Sequence, residues 1–172
     1  MAKGKSADDE TLVGTAKDDD LHGGAGDDRI FGLGGDDRLF GDAGDDRLFG
    51  RGGDDIVRGG GGSDVIDGGS GDDQIHGGGG ADLLIGGRAD DRLEGGAGAD
   101  RFKFRPGDGD DEILDFSAED RLDLRAFKLG SVDTALAAAE DRPMGATFEL
   151  GGTTVLVLGV TLAELDPAQV LV

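Results

Sequence analysis

Gly23-Gly24-Ala25-Gly26-Asp27-Asp28-Arg29-Ile30-Phe31 is the stretch on which the fold turns. Alone, it is a glycine-rich acidic turn followed by three residues suited to a strand. In place, it is one of ten nine-residue units that run without insertion from Gly14 to Lys103. Every unit opens on glycine, and position four is glycine in eight of the ten, with Lys17 and Ala89 the exceptions. Position six is always aspartate: Asp19, Asp28, Asp37, Asp46, Asp55, Asp64, Asp73, Asp82, Asp91 and Asp100. Position eight is always apolar: Leu21, Ile30, Leu39, Leu48, Val57, Ile66, Ile75, Leu84, Leu93 and Phe102. Of the 36 glycines, 28 fall inside this array, and composition bias alone does not hold such a phase.

Each unit reads as a six-residue turn and a three-residue strand at positions seven to nine, with position eight turned inward. A strand that short cannot stand alone. Two units make an eighteen-residue coil with a strand on each side, and stacked coils give two parallel sheets with ~4.8 Å between coils. The core is then a thin double row of Leu, Ile and Val, and neighbouring coils carry the stability.

Stacking sets the position-six aspartates in two columns, one along each edge. Carboxylates ~4.8 Å apart repel by about 1 kcal/mol in water and by several times that near a protein surface. Asp18, Asp27, Asp36, Asp45, Asp54, Asp72 and Asp90 at position five add to the repulsion. A hard divalent cation between successive turns reverses the sign. Carboxylates and turn carbonyls suit calcium, with its six to eight oxygen ligands, better than magnesium, which keeps its waters. Five turns per edge leave four gaps, hence about eight Ca2+ ions, enough to offset most of the formal charge of −21. That charge argues against nucleic acid, which needs a surplus of Lys and Arg. The chain has no cysteine, so disulfides and thiolate metal sites are excluded. No apolar run reaches membrane-spanning length, and the opening residues lack the apolar core of a cleaved leader.

The array resembles the RTX family, whose nonapeptide G-G-x-G-x-D-x-U-x the unit Gly23–Phe31 matches at every position. The resemblance implies calcium-driven folding outside the cell after type I secretion, with the secretion machinery as a partner and a secreted product. It implies an all-β fold: a right-handed parallel β-roll, a calcium-loaded solenoid, with a small α+β C-terminal cap. It also implies a calcium-binding module and no enzyme. Its ligands carry over to the ten position-six aspartates, with turn carbonyls at Gly24, Gly26, Gly35, Gly44, Gly53, Gly62, Gly71 and Gly80 completing the sites. Lys17 in place of the turn glycine puts the first site in doubt.

The organisation expected is an N-terminal cap or decayed repeat at 1–13, the roll at 14–103, and a capping and secretion-signal region at 104–172. After Phe102 the phase slips. Pro106 to Ile113 reads as one more unit displaced by two residues, with Gly109, Asp111 and Ile113 at positions four, six and eight, so Asp111 is an eleventh ligand candidate. Phe102 to Leu124 resembles the flank that closes such rolls. Ser131 to Asp141 reads as a short N-capped helix. Gly151-Gly152 joins Ala146–Leu150 to Thr153–Leu158 as a hairpin, and Thr161 caps a last helical turn. Val170-Leu171-Val172 reads equally as the end of an export signal and as an edge strand; the family resemblance favours export.

Seven near-identical acid pairs among ten repeats are an array and not a catalytic pair, which needs two acids in different environments. His22 and His76 stand three coils apart on one face and do not form a metal pair. Phe31, Phe49 and Ile85 form an outward apolar stripe, expected to be covered by the C-terminal segment. Arg29, Arg38, Arg47, Arg92 and Arg101 at position seven offset the acidic edges or, in the alternative reading, grip an acidic polysaccharide. That alternative makes the chain a surface-binding accessory module with the roll as its platform.

Overall fold

The computed structural model describes residues 2–3 and 8–172. The inward residue of each unit sets the architecture. Leu21, Leu39, Val57, Ile75 and Leu93 form one row and Ile30, Leu48, Ile66, Leu84 and Phe102 the other, all 0–2% exposed. At ~25 cal/mol per Å2 each side chain contributes roughly 2 kcal/mol, the driving force that apolar burial offers a core one residue pair thick.

Two sheets enclose these rows. The first stacks Ala2–Lys3, Asp20–Ala25, Arg38–Ala43, Ile56–Gly61, Gln74–Gly79, Arg92–Ala97 and Asp110–Ile113 in parallel. The second stacks Thr11–Val13, Arg29–Phe31, Arg47–Phe49, Val65–Ser70, Leu83–Arg88, Arg101–Lys103 and Arg121–Asp123, again in parallel. The molecule is thus an all-β parallel solenoid. Register steps by eighteen residues, as in Leu39↔Val57 and Val57↔Ile75.

Most strands are longer than the three residues predicted. Asp20–Ala25, for example, runs through the first three positions of the next unit. Identical spacing brings those positions opposite one another too, as in Gly60↔Gly78 and Gly61↔Gly79, so the ladder continues into the turn. Beyond Lys103 the stacking persists with a step of two extra residues: Ile113 pairs with Leu93, and Leu122 with Phe102. At the other end Leu12 pairs with Ile30, as the decayed unit requires. Residues 1 and 4–7 of the expected N-terminal cap lie outside the described residues.

The C-terminal segment extends both sheets at one end. The helix is shorter than predicted, Val132–Ala137, with Ser131 Oγ accepting from the Thr134 N–H at 3.2 Å. Ala139–Arg142 leaves the helix because it pairs antiparallel with Gly145–Leu150, and tertiary pairing outweighs alanine's helix preference. Gly145–Leu150 and Thr153–Leu158 form the expected hairpin, with φ of +59° and +86° at Gly151 and Gly152. Thr153–Leu158 then pairs in parallel with Asp110–Ile113. A turn at Thr161, a 3-10 turn at Pro167–Gln169 and the edge strand Val170–Leu171 beside Arg121–Asp123 complete the second sheet. The apolar stripe is covered only in part: Ile85 is 6% exposed, and residues 105–108 share a groove with Phe49. Phe31 and Phe49 stack on each other, ring centres 5.0 Å apart, and stay half-buried. Among the described residues no helix is long and apolar enough to cross a membrane.

Candidate metal centre

The position-six carboxylates stand single file along the two edges. On one edge the Oδ1 atoms of Asp37, Asp55, Asp73, Asp91 and Asp111 each accept the N–H of the aspartate one coil earlier, at 2.7–3.1 Å. On the other, the same bond reaches Asp28 from Glu10 and continues through Asp46, Asp64, Asp82, Asp100 and Asp120, at 2.6–2.9 Å. The second oxygen is the telling one. Oδ2 of Asp28, Asp37, Asp46, Asp55, Asp64, Asp73, Asp82, Asp91, Asp100 and Asp111 is buried without a hydrogen-bond partner among the described residues. The end members differ: Asp19 Oδ2 accepts from the Thr15 N–H and hydroxyl, and Asp120 Oδ2 from the Ser117 N–H.

The sequence builds this geometry with glycine. A Cβ on Gly41 would stand 2.2 Å from Asp46 Oδ2 and 2.5 Å from the Gly59 carbonyl oxygen. Position one is empty of side chain because the aspartate of the same unit folds back over it. At position four, Gly44 has φ of +134°, and a Cβ there would come within 2.0 Å of the Gly26 oxygen. Carbonyls of Gly26, Gly35, Gly44, Gly53 and Gly62 thus aim along the stack at the next turn. They accept no hydrogen bond among the described residues. Gly71 and Gly80 share their position-four place, with φ of +120° and +135°. Gly24, the position-two ligand candidate, lies instead within Asp20–Ala25, paired with Asp42.

Burial dominates the electrostatics. Loss of water raises the carboxyl pKa of Asp55 and Asp82 to about 6, of Asp64 and Asp111 to about 7, and of Asp73 and Asp91 to about 8. The N–H from the previous coil opposes the shift, and neighbouring carboxylates add to it. Asp37, Asp46 and Asp100 are raised for the same first reason. No three carboxylate or imidazole groups converge on a point among the described residues. Any ion held here would be shared between successive carboxylates and backbone carbonyls. Unpartnered buried oxygens of a hard, anionic kind fit calcium and suit softer metals poorly.

Two parts of the arrangement escaped sequence reading. Asp120 is a sixth member of the second column; its signal is Asp120-Arg121-Leu122, twenty residues after Asp100. The position-five aspartates do more than add charge. Asp18 Oδ1 accepts the Asp36 N–H, Asp36 the Asp54 N–H, Asp54 the Asp72 N–H and Asp72 the Asp90 N–H, at 2.9–3.2 Å. That ladder runs opposite to the buried one, so both acidic turn positions have their N–H groups held by carboxylates.

The outward features are separate from these edges. His22 stacks on Phe40 at 4.4 Å, whereas His76 sits 3.2 Å from Glu94. Arg29↔Arg47 and Arg101↔Arg121 are neighbours on the second sheet, with Val65 and Leu83 between the pairs. Arg38 and Arg92 lie on the first sheet, and Arg92 pairs with Glu112 at 3.3 Å. The five position-seven arginines therefore form no single patch.

A family model described as the RTX calcium-binding nonapeptide repeat matches the chain four times, at residues 6–39, 31–66, 40–75 and 67–102. A comparison with curated proteins returns no match. Among solved structures the chain is similar to the extracellular lipase LipA from Serratia marcescens, at 17% identity and a TM-score of 0.44. That alignment covers 100% of this chain and 40% of the lipase. It is also similar to the AlgE6R3 subunit of the Azotobacter vinelandii mannuronan C5-epimerase, at 23% identity and a TM-score of 0.37, covering 96% of this chain and 80% of that one.

Proposed function

The chain belongs to the family of RTX calcium-binding nonapeptide repeats, and from that premise we propose that it is a module whose folding is driven by calcium held along its two edges. The observation that carries this reading is the set of ten buried Oδ2 atoms without hydrogen-bond partners among the described residues. The proposed ligands are the carboxylates of those ten residues, Asp28 to Asp111, together with the position-four carbonyls. When bound, calcium supplies positive charge and accepts the oxygen electron pairs that burial has cut off from water. Asp19, with its Oδ2 held by Thr15, serves as an end piece, which accords with the doubt raised by Lys17. Asp111 takes its place in the column. Five such aspartates per edge leave four intervals on each, for about eight ions in all.

The carboxylates here hold the coils together, and the module's role is structural and not catalytic. Calcium-dependent folding suits release outside the cell after type I secretion, with an uncleaved signal in 104–172. Val170–Leu171 would act in that signal while the chain is unfolded and close the second sheet afterwards. Equilibrium dialysis at pH 7.5 tests the metal reading: about eight calcium ions bind cooperatively and magnesium at equal concentration does not replace them. Fewer than two bound ions would refute it.

A second reading, attachment to an acidic polysaccharide, draws on exposed arginines in an otherwise acidic molecule. Arg29 and Arg47, neighbours on the second sheet, are the candidates read from the sequence, and loss of binding in their double Ala variant would place the glycan on that sheet.

A further inference from the structure

On the edge carrying Asp37 to Asp111, the row of position-two side chains has a gap. Thr15, Leu33 and Arg51 fill it, then two coils carry glycine there, ~10 Å along the stack, Gly69 half-buried and Gly87 buried. Arg105, from the loop after Lys103, closes the far end, and Arg88 stands at the side; together they bound a groove of about 470 Å3. Glycine is not imposed by position two itself. Leu33, Asp42 and Arg51 occupy it with φ of +87°, +75° and +87°, a left-handed backbone costly for residues other than glycine. Arg51 is thus held where its backbone is strained, and its guanidinium lies 5.5 Å from the centre of the Phe49 ring, which fixes its direction.

Charge makes the groove unlike the rest of the molecule. The chain has 38 acidic and 17 basic residues, yet three guanidinium groups gather here. None of the three has a carboxylate within ion-pair distance among the described residues, although Asp108 attracts both Arg88 and Arg105 from farther off. Asp108 also lines the groove but is 6% exposed, its Oδ2 accepting the Arg105 N–H at 2.6 Å. Asp67 is the remaining acid on the lining and can accept hydroxyl hydrogens.

We propose that this groove binds an acidic glycan, its oxyanions taken by Arg51, Arg88 and Arg105 and its hydroxyls by Asp67. Guanidinium groups recognise carboxylate and sulfate in paired hydrogen bonds. A groove lined by three arginines, with Asp67 and Ser70 between them and no deep apolar cavity, suits an extended sugar chain better than a compact apolar ligand. The proposal rests on the second reading above and moves its site from Arg29 and Arg47 to the edge groove.

The test is calorimetric titration of the calcium-loaded protein with an oligogalacturonate hexasaccharide, a sulfated heparin hexasaccharide and neutral cellohexaose. At least one acidic probe should bind and the neutral one should not. The variant Arg51→Ala/Arg88→Ala/Arg105→Ala, its fold checked by circular dichroism, should bind about tenfold or more weakly. Arg29→Ala/Arg47→Ala should bind as the parent does. Undiminished binding in the triple variant, with loss in Arg29→Ala/Arg47→Ala, overturns the groove and keeps the second reading. Binding unchanged in both variants overturns the groove and points to glycan bridged through calcium. No binding of either acidic probe overturns both.

Discussion

At position one the structure has no space for anything but hydrogen, since Asp46 Oδ2 and the Gly59 oxygen lie where a Gly41 Cβ would go. Gly41→Ala should destabilise the calcium-loaded roll by about 2 kcal/mol or more. Gly61→Ala, where nothing lies within 4 Å, should be nearly neutral, and thermal unfolding of both variants checks the contrast. Asp73 offers a prediction in two directions. Its burial favours the neutral carboxyl, so Asp73→Asn should weaken calcium binding yet leave the calcium-free chain more structured. Parallel calcium titrations and calcium-free dichroism would read both effects. The raised pKa values also fix a pH dependence. A group that holds its proton more tightly when folded stabilises the fold below its unfolded pKa and loses that contribution as pH rises through the folded value. For Asp55, Asp64, Asp73, Asp82, Asp91 and Asp111 that loss extends up to about pH 6–8. Without calcium, strand content should therefore rise as pH falls from 8 toward 4, measured by far-ultraviolet dichroism. Position six was legible in the sequence because the nine-residue phase names it. Asp120 was missed because the displaced phase was followed only as far as Ile113, and the orphaned Oδ2 set needed the folded turn, since spacing does not say which oxygen meets an N–H.

Strands and cap follow a different logic from the turns. Alternation placed position eight inward, and the hairpin at Gly151-Gly152 followed from two residues able to take positive φ. Strand length was misjudged because glycine at positions one to three reads as turn, while the coil above and below supplies ladder partners regardless. The helix overran for the converse reason: Ala139–Arg142 has helical composition but a strand waiting at Gly145–Leu150. The terminal strand is the element most open to test. Val170 is 3% exposed and pairs with Leu122, and the Leu124 N–H donates to the Leu171 oxygen at 2.7 Å. Val170→Asp buries a charge at that edge and should cost about 2 kcal/mol or more. Hydrogen exchange should show protection lost first at the Leu124 amide, with the amides of Leu39 and Val57 little changed.

Across the whole molecule, two forces of opposite sign share one geometry. Stacking eighteen-residue coils buries the double apolar row and, by the same step, stacks ten carboxylates out of water along the edges. The first favours the roll and the second opposes it while the carboxylates stay charged. A formal net charge of −21 adds a general repulsion that compaction worsens. Because each shared ion would join two turns, neutralisation and folding should proceed together and steeply. A calcium titration at pH 7.5, followed by far-ultraviolet dichroism and hydrodynamic radius, measures that coupling directly. The chain should be expanded and coil-like in excess EGTA and become compact and strand-rich in one cooperative step as calcium reaches the ~10⁻⁴–10⁻³ M range. A compact, strand-rich chain in EGTA at that pH would contradict the account.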